Sequence, residues 1–289
     1  MKFKLLLLSA LAATSAMAFE PKEDPNAITP EGVRGGGGVG PDIFGYTGTD
    51  SNSGACTSQF IDITGTGANI ITGDDAGAPV TLGAPFNFYG TVYTDLALTT
   101  NGYISTDVTD AGPDLSNDCP LPATPSTGGG ARMYPLQDDL ITNGGVYYEY
   151  FPVCPRPSDT FVDTLGCHVV QWDGVEHFGG GGEVFGFEAI LYDLSWEIVF
   201  VQGTGNPEAG SGSTTGIQND GATDGLTYAC DTAASVPASS AQCFIHPNPD
   251  PAALPPILPV PTNNKVMLAT LAGALGLIAL FLMRRKAII

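Results

Sequence analysis

Positive charge is scarce in this sequence of 289 residues, where ten lysines and arginines stand against thirty aspartates and glutamates. Between residues 20 and 261 the basic residues are Lys22, Arg34, Arg132 and Arg156. All thirty acidic residues lie in that stretch, so its formal charge is −26. Such a surface repels nucleic acid and anionic lipid headgroups. We therefore expect no nucleic-acid partner, and either a soluble extracellular protein or one that collects divalent cations.

Catalytic motifs are missing as well. A serine hydrolase of the common α/β type needs Gly-x-Ser-x-Gly between a strand and a helix, and the nearest stretch, Gly210–Thr214, does not match. His177 precedes the glycine run Gly179–Gly182, which we interpret as an ordinary loop rather than an oxyanion loop. A glycosidase needs two facing carboxylates, and a chance pair is expected among thirty acids. We predict no enzyme, no catalytic residue and no cofactor, with a secreted carboxylate-dependent hydrolase as the alternative.

The N-terminus has the layout of a secretory signal peptide. Lys2 and Lys4 precede the run Leu5–Ala13, which is apolar apart from one serine, and Ala16 and Ala18 supply the small residues of a cleavage site. The apolar run is too short to span a bilayer. These features predict a signal peptide over the first eighteen residues, with cleavage after Ala18.

Residues 19–41 are of low complexity and rich in glycine. Gly35, Gly37 and Gly40 formally spell Gly-x-Gly-x-x-Gly. A dinucleotide site needs a strand before this motif and a helix after it, and the sequence offers neither. We therefore predict a flexible leader.

The C-terminal part combines a proline-rich stretch with one apolar run. Residues 247–261 contain seven prolines and predict an extended stalk. Val266–Met283 is uncharged and would span about 27 Å as a helix, close to the hydrocarbon thickness of about 30 Å. Arg284, Arg285 and Lys286 would hold its end on the cytoplasmic side. We predict a transmembrane helix in the inner membrane.

A short motif precedes that helix. Pro261, Thr262, Asn263 and Asn264, followed by one hydrophobic helix and a basic cluster, resemble the sorting signals that exosortases read in Gram-negative bacteria. The motif is similar to the variant with a Val/Ile-Pro-Thr core rather than Pro-Glu-Pro. The resemblance implies an exosortase-type protease as a partner, a sorting signal over residues 262–289, and a temporary hold on the inner membrane before release to the surface. A permanent membrane anchor is the alternative.

The six cysteines contain no Cys-x-x-Cys pair. They stand at positions 56, 119, 154, 167, 230 and 243, and the histidines are His168, His177 and His246. This scatter does not favour zinc, whereas an even count in an exported chain predicts disulfides. Fifteen pairings are possible. Nearest-neighbour pairing, our prediction, gives Cys56–Cys119, Cys154–Cys167 and Cys230–Cys243.

The stretch between leader and stalk, residues 42–246, predicts one all-β domain. Short runs of β-branched and aromatic residues alternate with Gly, Asn and Asp, and Gln59–Thr64 is one such predicted strand. Asn101-Gly102 lies between two runs and predicts a hairpin. The clearest hairpin joins Val184–Tyr192 to Glu197–Gln202. Many short antiparallel strands imply a β-sandwich or a barrel, and we predict the sandwich.

The order of the strand pieces adds a family resemblance over roughly residues 80–228. The pieces are FNFYGTVYTDLALTTNGYIS, YPLQDDL, GGVYYEY, VVQWDGVEHF, VFGFEAILYDLSWEIVFVQ, TTGIQND and GLTY. As an ordered set they are similar to nidogen-like extracellular domains, which are adhesion and matrix modules without catalytic residues. The resemblance implies an exported, disulfide-stabilised, non-enzymatic protein of the cell surface or matrix, acting in adhesion or biofilm on an unknown matrix or glycan ligand.

One acidic loop, DVTDAGPDLSND, offers candidate calcium ligands. The acids are Asp107, Asp110, Asp114 and Asp118, with Asn117 beside them. Oxygen ligands on such a loop suit Ca²⁺, although the spacing is not that of an EF-hand. A solvated turn whose side chains cap backbone groups is the alternative. If calcium binds, a calcium-dependent glycan-binding module becomes a further hypothesis.

Two further features have a structural and a functional interpretation. Asp138-Asp139 is a second metal candidate, but the resemblance places it at the start of a strand, which favours a structural role. Trp172 and Trp196, with the tyrosines, could stack on sugars. Packing in the core and in hairpins is the commoner fate of such side chains, and we favour it.

Overall fold

The computed structural model describes residues 38–180, 182–206 and 209–254. The predicted signal peptide, most of the predicted leader, and the predicted sorting signal with its helix at 266–283 lie outside the described residues. Within them, no helix has both the length and the apolar character needed to cross a bilayer.

The described residues form two antiparallel β-sheets. The strands are β1 Thr47–Asp50, β2 Ala68–Asp74, β3 Gly77–Phe88, β4 Thr91–Thr99, β5 Ile104–Ser105, β6 Arg132–Gln137, β7 Leu140–Phe151, β8 Cys167–His177, β9 Phe185–Tyr192, β10 Ile198–Gln202, β11 Thr214–Gln218, β12 Gly225–Cys230 and β13 Ala241–Ile245. One sheet has seven strands in the order β1-β13-β10-β9-β8-β7-β2, and the other has six in the order β12-β11-β6-β5-β4-β3. The predicted all-β class is confirmed.

The main core lies between the two sheets. Alternate side chains of each strand point inward, which is the strand periodicity of two. Trp172 and Phe187 of the large sheet stack with ring centroids 4.9 Å apart. The Trp172 indole donates a hydrogen bond of 2.6 Å to the carbonyl of Thr99, so it also ties the large sheet to the small one.

Both predicted hairpins are present. Strands β4 and β5 pair across Asn101-Gly102, and β9 pairs with β10. Gly102 has a φ of 74°, and a Cβ there would lie 2.0 Å from the carbonyl oxygen of Leu136. Only glycine fits a turn that combines a positive φ with so close a backbone neighbour.

A second apolar layer covers the outer face of the seven-stranded sheet. It contains Ile61, Ile63, Phe161 and Leu165 from two irregular segments, packed on strand residues such as Ile190. The segments, residues 51–67 and 152–166, contain no strand. The large sheet is therefore buried on both faces in its centre, which explains why the strand interiors are continuously hydrophobic.

The prediction of a strand at Gln59–Thr64 is wrong. The predicted alternation is present, because Ile61 and Ile63 are buried and Asp62 is exposed. However, the backbone N–H of Ile61 donates to the carboxylate of Glu188 at 3.0 Å, and that of Ile63 donates to Gln171 Oε1 at 2.7 Å. Side chains of the sheet thus accept the hydrogen bonds that a neighbouring strand would otherwise accept. The segment therefore packs on the face of the sheet and is not one of its strands.

Three disulfides join the loops to the sheets. Cys154 is bonded to Cys167, which matches the predicted pair, with a Cα–Cα distance of 5.2 Å. The other two bonds are Cys56–Cys243 and Cys119–Cys230. The predicted pairs Cys56–Cys119 and Cys230–Cys243 are therefore wrong. The reason is the strand order: β13, which carries Cys243, inserts between β1 and β10, beside the segment that carries Cys56.

Candidate functional site

The acidic loop predicted to bind calcium holds an arginine. Arg132, at the start of β6, has its Nη2 3.0 Å from Asp110 Oδ2 and its Nη1 2.5 Å from Asp114 Oδ2, with all three side chains fully buried. Its guanidinium also lies 4.4 Å from the ring centre of Tyr103 and donates to the carbonyl of Thr127. The planar fork of arginine suits two carboxylates and an aromatic face at once.

The remaining acids of that loop bind groups that are close to them in the chain. Asp107 accepts hydrogen bonds from the backbone N–H and hydroxyl of Thr109 at 2.9 and 2.7 Å. Asp118 accepts from the N–H and hydroxyl of Ser126 at 2.9 and 3.1 Å. Of the four predicted calcium ligands, two thus bind an arginine, one caps a local turn and one binds Ser126, and they do not form a common cluster among the described residues.

A different acidic group contains the second predicted metal candidate. Ligand oxygens of Asp74, Asp75 and Asp139 lie within 4.8 Å of one another on the surface. Burial, and then the charges of Asp75 and Asp74, raise the pKa of Asp139. Asp138 instead faces His177 Nδ1 at 2.8 Å. The pair directly precedes β7, as the family resemblance implied. The three carboxylates of the group, two exposed and one partly buried, offer the oxygen ligands that a divalent cation prefers.

A buried polar cluster anchors the segment 152–166 to the large sheet. Arg156 is fully buried and donates to the carbonyl of Thr57 at 2.9 and 3.1 Å and to the Tyr192 hydroxyl at 2.8 Å. Ser158 donates to Glu197 Oε2 at 2.6 Å. Burial raises the pKa of Glu197 to about 7. These contacts join the two covering segments to each other and to the large sheet, so their role is structural.

An imidazole lies between a carboxylate and a phenol at the start of β8, an interior strand of the large sheet. His168 Nε2 lies 3.3 Å from Asp193 Oδ1, and its Nδ1 lies 3.0 Å from the Tyr148 hydroxyl. Tyr150 donates to Asp193 Oδ2 at 2.8 Å. The Tyr148 oxygen accepts the N–H of Gly83 at 2.8 Å, which links β7 to β3. The cluster therefore fixes the Asp193 carboxylate and joins the two sheets.

Asp193 opens onto a cleft of about 520 Å³ between the β3–β4 hairpin, the β9–β10 turn and the segment 152–166. Residues that line it include Asn87, Val92, Thr164, Asp193, Leu194 and Trp196. The wall is largely apolar, and a few polar groups interrupt it. This is the usual composition of a cleft that binds a small ligand.

The turn between β9 and β10 shapes this cleft. Leu194 and Trp196 have φ values of 60° and 53°, a left-handed conformation that is costly for non-glycine residues. The turn is held by hydrogen bonds from Trp196 N–H to the Tyr192 carbonyl at 3.1 Å and from Asp250 N–H to the Leu194 carbonyl at 2.7 Å. The strained turn presents Trp196 and Asp193 to the same cleft.

Aromatic rings surround His246 behind Trp196. The His246 ring lies 5.0 Å from Trp196, 5.1 Å from Tyr46 and 5.3 Å from Phe44, centroid to centroid. Burial lowers the pKa of His246 to about 4. The rings bring together the first described segment, the β9–β10 turn and the end of β13, and they pack behind the Trp196 wall of the cleft.

Two further clefts of about 570 Å³ each lie elsewhere on the domain. One has a mixed polar and apolar lining and lies at the ends of β9 and β10; its lining includes Phe60, Asp62, Gln171, Asp173, Gln202 and Ser239. The other lies beyond the tip of the β3–β4 hairpin; its lining includes Ile43, Phe44, Tyr89, Tyr93, Asp220 and Asp224. Neither contains a tryptophan.

Of the two tryptophans singled out in the sequence, only one is available to a ligand. Trp172 is fully buried in the core, as favoured from the sequence. Trp196 is partly exposed and lines the cleft. Asn87, Thr164 and Asp193 carry no sequence signal, because they come from three distant segments that meet only in the folded chain.

A disulfide-bonded sandwich of two antiparallel sheets, with its clefts formed by loops and turns, is a domain of an extracellular type and fits an exported protein. The family model described as NIDO related matches residues 51–253, and the chain belongs to this nidogen-related family. No curated protein and no solved structure matches the chain.

Proposed function

We propose that this chain is an exported, non-enzymatic binding protein of the cell surface or the extracellular matrix, which acts in adhesion or biofilm formation. The observation that carries the proposal is a nidogen-related domain with three disulfides. Disulfides form and persist in oxidising, extracytoplasmic environments. Because binding modules use exposed loops on a rigid scaffold, the clefts between loops are the candidate contact sites.

The use of the buried charged groups supports a binding role rather than catalysis. Arg132, Arg156 and Glu188 are each held by groups of neighbouring segments. His168 is placed between Asp193 and a tyrosine that is itself bound to a backbone N–H. These contacts link loops to sheets. A general acid or base must be within reach of a substrate, and of the groups named here only Asp193 lines a cleft.

Processing at the C-terminus is part of the proposal. The Pro261–Asn264 motif, the apolar run and the basic residues after it suit a signal that an exosortase-type protease removes. The chain would be held in the inner membrane in transit and then released to the surface. The formal charge of −26 between residues 20 and 261 favours a basic or a neutral partner over an anionic one.

The experiment uses the full chain in a host that carries the sorting enzyme. Mass spectrometry of the mature protein should show that residues 266–289 are absent, with cleavage near residues 261–264. Replacing Arg284, Arg285 and Lys286 by Gln should impair retention and processing, because the helix loses its cytoplasmic stop. Recovery of full-length chains in the membrane would leave the permanent anchor as the correct interpretation.

The non-enzymatic part needs a separate assay. The purified mature protein should bind matrix components without turnover of glycosides, esters or peptides. Turnover that is lost in a single Asp or Glu variant with an intact fold would contradict this part and support a carboxylate-dependent hydrolase.

A further inference from the structure

The cleft at Trp196 has the chemistry of a sugar site. The indole forms part of one wall, and its electron-rich face attracts the weakly positive C–H groups of a pyranose ring. Three polar side chains lie around the same cleft: the carboxamide of Asn87, the hydroxyl of Thr164 and the carboxylate of Asp193. Vicinal hydroxyl groups of a sugar need such donors and acceptors.

The polar groups are held in place before a ligand arrives. Asp193 Oδ2 accepts the Tyr150 hydroxyl at 2.8 Å, and Oδ1 faces His168 Nε2 at 3.3 Å. Asn87 Oδ1 accepts the N–H of Gly90 at 3.0 Å. This bond fixes the side-chain amide plane and does not use the NH2 group of Asn87. Groups fixed in this way lose little conformational freedom on binding, which favours affinity.

The charge of the cleft selects among sugars. Among the described residues, Asp193 is the only charged one in the lining, which contains no lysine or arginine. A uronate, sulfated or phosphorylated sugar would meet one carboxylate and no cation. The cleft is therefore suited to an uncharged hexose.

The unusual backbone of the turn gives a second, independent reason to assign a function. A non-glycine residue with positive φ is uncommon in general. The described residues contain nine of them, and this turn has two within three residues. Such conformations cluster at ligand-binding sites, where the surrounding fold enforces them. Here the enforced residues are the ones that line the cleft, Leu194 and Trp196.

We propose that this cleft binds an uncharged hexose unit of an extracellular polysaccharide, with Trp196 as the stacking surface and Asn87, Thr164 and Asp193 as hydroxyl partners. The inference rests on the proposed binding function and names its ligand class. The acidic loop takes no part in this site, because its residues are absent from the described lining.

The test uses the purified mature protein and neutral hexasaccharides of glucose, mannose and galactose, with oligogalacturonate as an anionic counterpart. Calorimetry should detect at least one neutral hexasaccharide with EDTA present and no oligogalacturonate binding. The chain has two tryptophans and Trp172 is fully buried, so binding should shift the fluorescence of Trp196 alone. The shift should vanish in W196F, while Kd changes less than threefold because a ring remains.

Two variants remove the contacts, and one serves as a control. W196A should weaken binding at least tenfold, and T164V should weaken it about threefold or more while leaving the exposed turn folded. F178A changes a side chain that is 60% exposed and lies outside the cleft, so it should leave Kd unchanged. If W196A loses its fold by circular dichroism, T164V and W196F decide the question.

Several outcomes would overturn the inference. They are the absence of binding to every neutral hexasaccharide, binding of the anionic oligomer alone, and equal affinity of wild type, W196A and T164V. If W196A still binds matrix components but no longer differs from wild type in sugar binding, the proposed binding function is retained and the sugar site is wrong. Hydrolysis of a bound hexasaccharide would instead contradict the proposed function.

Discussion

Arg132 and Asp114 form a fully buried ion pair, with Nη1 2.5 Å from Oδ2. The arginine lies eighteen residues after the aspartate, at the point where the acidic loop returns to the small sheet. Asp110 adds a second contact at 3.0 Å. The guanidinium thus takes the place that the sequence assigned to a metal ion. The positive charge that organises the loop is therefore a side chain of the protein itself, Arg132.

Breaking this pair should destabilise the protein. Removing one partner of a buried ion pair leaves an uncompensated charge and costs about 3–5 kcal/mol. We expect D114N to lower the free energy of unfolding by about 3 kcal/mol, because Asp110 remains as a partner. Urea unfolding with calcium and with EDTA should give the same loss.

D107N is the matched control in the same loop. Its amide oxygen can still accept the Thr109 N–H, so the free energy of unfolding should change by about 0.5 kcal/mol or less. A calcium-dependent gain in stability that D107N abolishes would show that the loop does bind the ion.

The disulfides should differ in their contribution to stability. Cys56–Cys243 spans 187 residues and Cys154–Cys167 spans 13. In the chain-entropy model these loops give about 5 and about 3 kcal/mol. Replacing both cysteines of each pair by Ser should therefore cost more at Cys56–Cys243, measured by urea unfolding.

Peptide mapping without reduction checks the connectivity behind this prediction. It should yield linked peptides for Cys56 with Cys243 and for Cys119 with Cys230. Peptides that join Cys56 to Cys119 would contradict the structure and restore the nearest-neighbour pairing.

What the sequence predicts well here is local. The Asn101-Gly102 hairpin follows from a two-residue signal, and the β9–β10 hairpin follows from two runs of apolar and aromatic residues on either side of a turn. Local signals fail where distant segments meet. Gln59–Thr64 has the pattern of a strand, but its N–H groups bind Glu188 and Gln171, more than one hundred residues away.

The candidate site shows the same limit. Trp196 could be singled out because tryptophan is rare in this chain. Its partners in the cleft could not be identified from the sequence. Asn87 and Thr164 lie in no recognisable motif, and they reach the cleft only because the β3–β4 hairpin, the β9–β10 turn and the segment 152–166 meet in the fold. The acids around Asp110 were visible in the sequence, whereas the arginine that they bind was not assigned to them.

Glu197 should make the protein less stable as pH rises. Its pKa is about 7 in the fold, raised by burial from 4.5. The folded state therefore holds a proton that the unfolded chain releases, and stability is lost as pH rises from about 4.5 to about 7. Since one pKa unit corresponds to about 1.4 kcal/mol, the loss is about 3 kcal/mol.

E197Q should remove this loss while still accepting the Ser158 hydroxyl. The measurement is the free energy of unfolding at pH 5 and pH 8, compared between variant and wild type. E183Q, at an exposed position, is the control and should keep the wild-type dependence. A wild-type slope in E197Q would show that Glu197 does not titrate as stated.

His246 should act in the opposite direction. It is buried among the rings of Phe44, Tyr46 and Trp196, and burial lowers its pKa from 6.5 to about 4. The folded state excludes a proton that the unfolded chain accepts, so stability is lost as pH falls from about 6.5 to about 4, by about 3 kcal/mol.

H246F keeps a ring in place and removes the charge. It should cost about 1 kcal/mol at pH 7, because the Asn248 N–H loses its acceptor. Between pH 7 and pH 4 the variant should then lose about 3 kcal/mol less than wild type. Equal losses in the two proteins, measured by urea unfolding at both pH values, would show that the histidine is protonated without unfolding the ring cluster behind the Trp196 cleft.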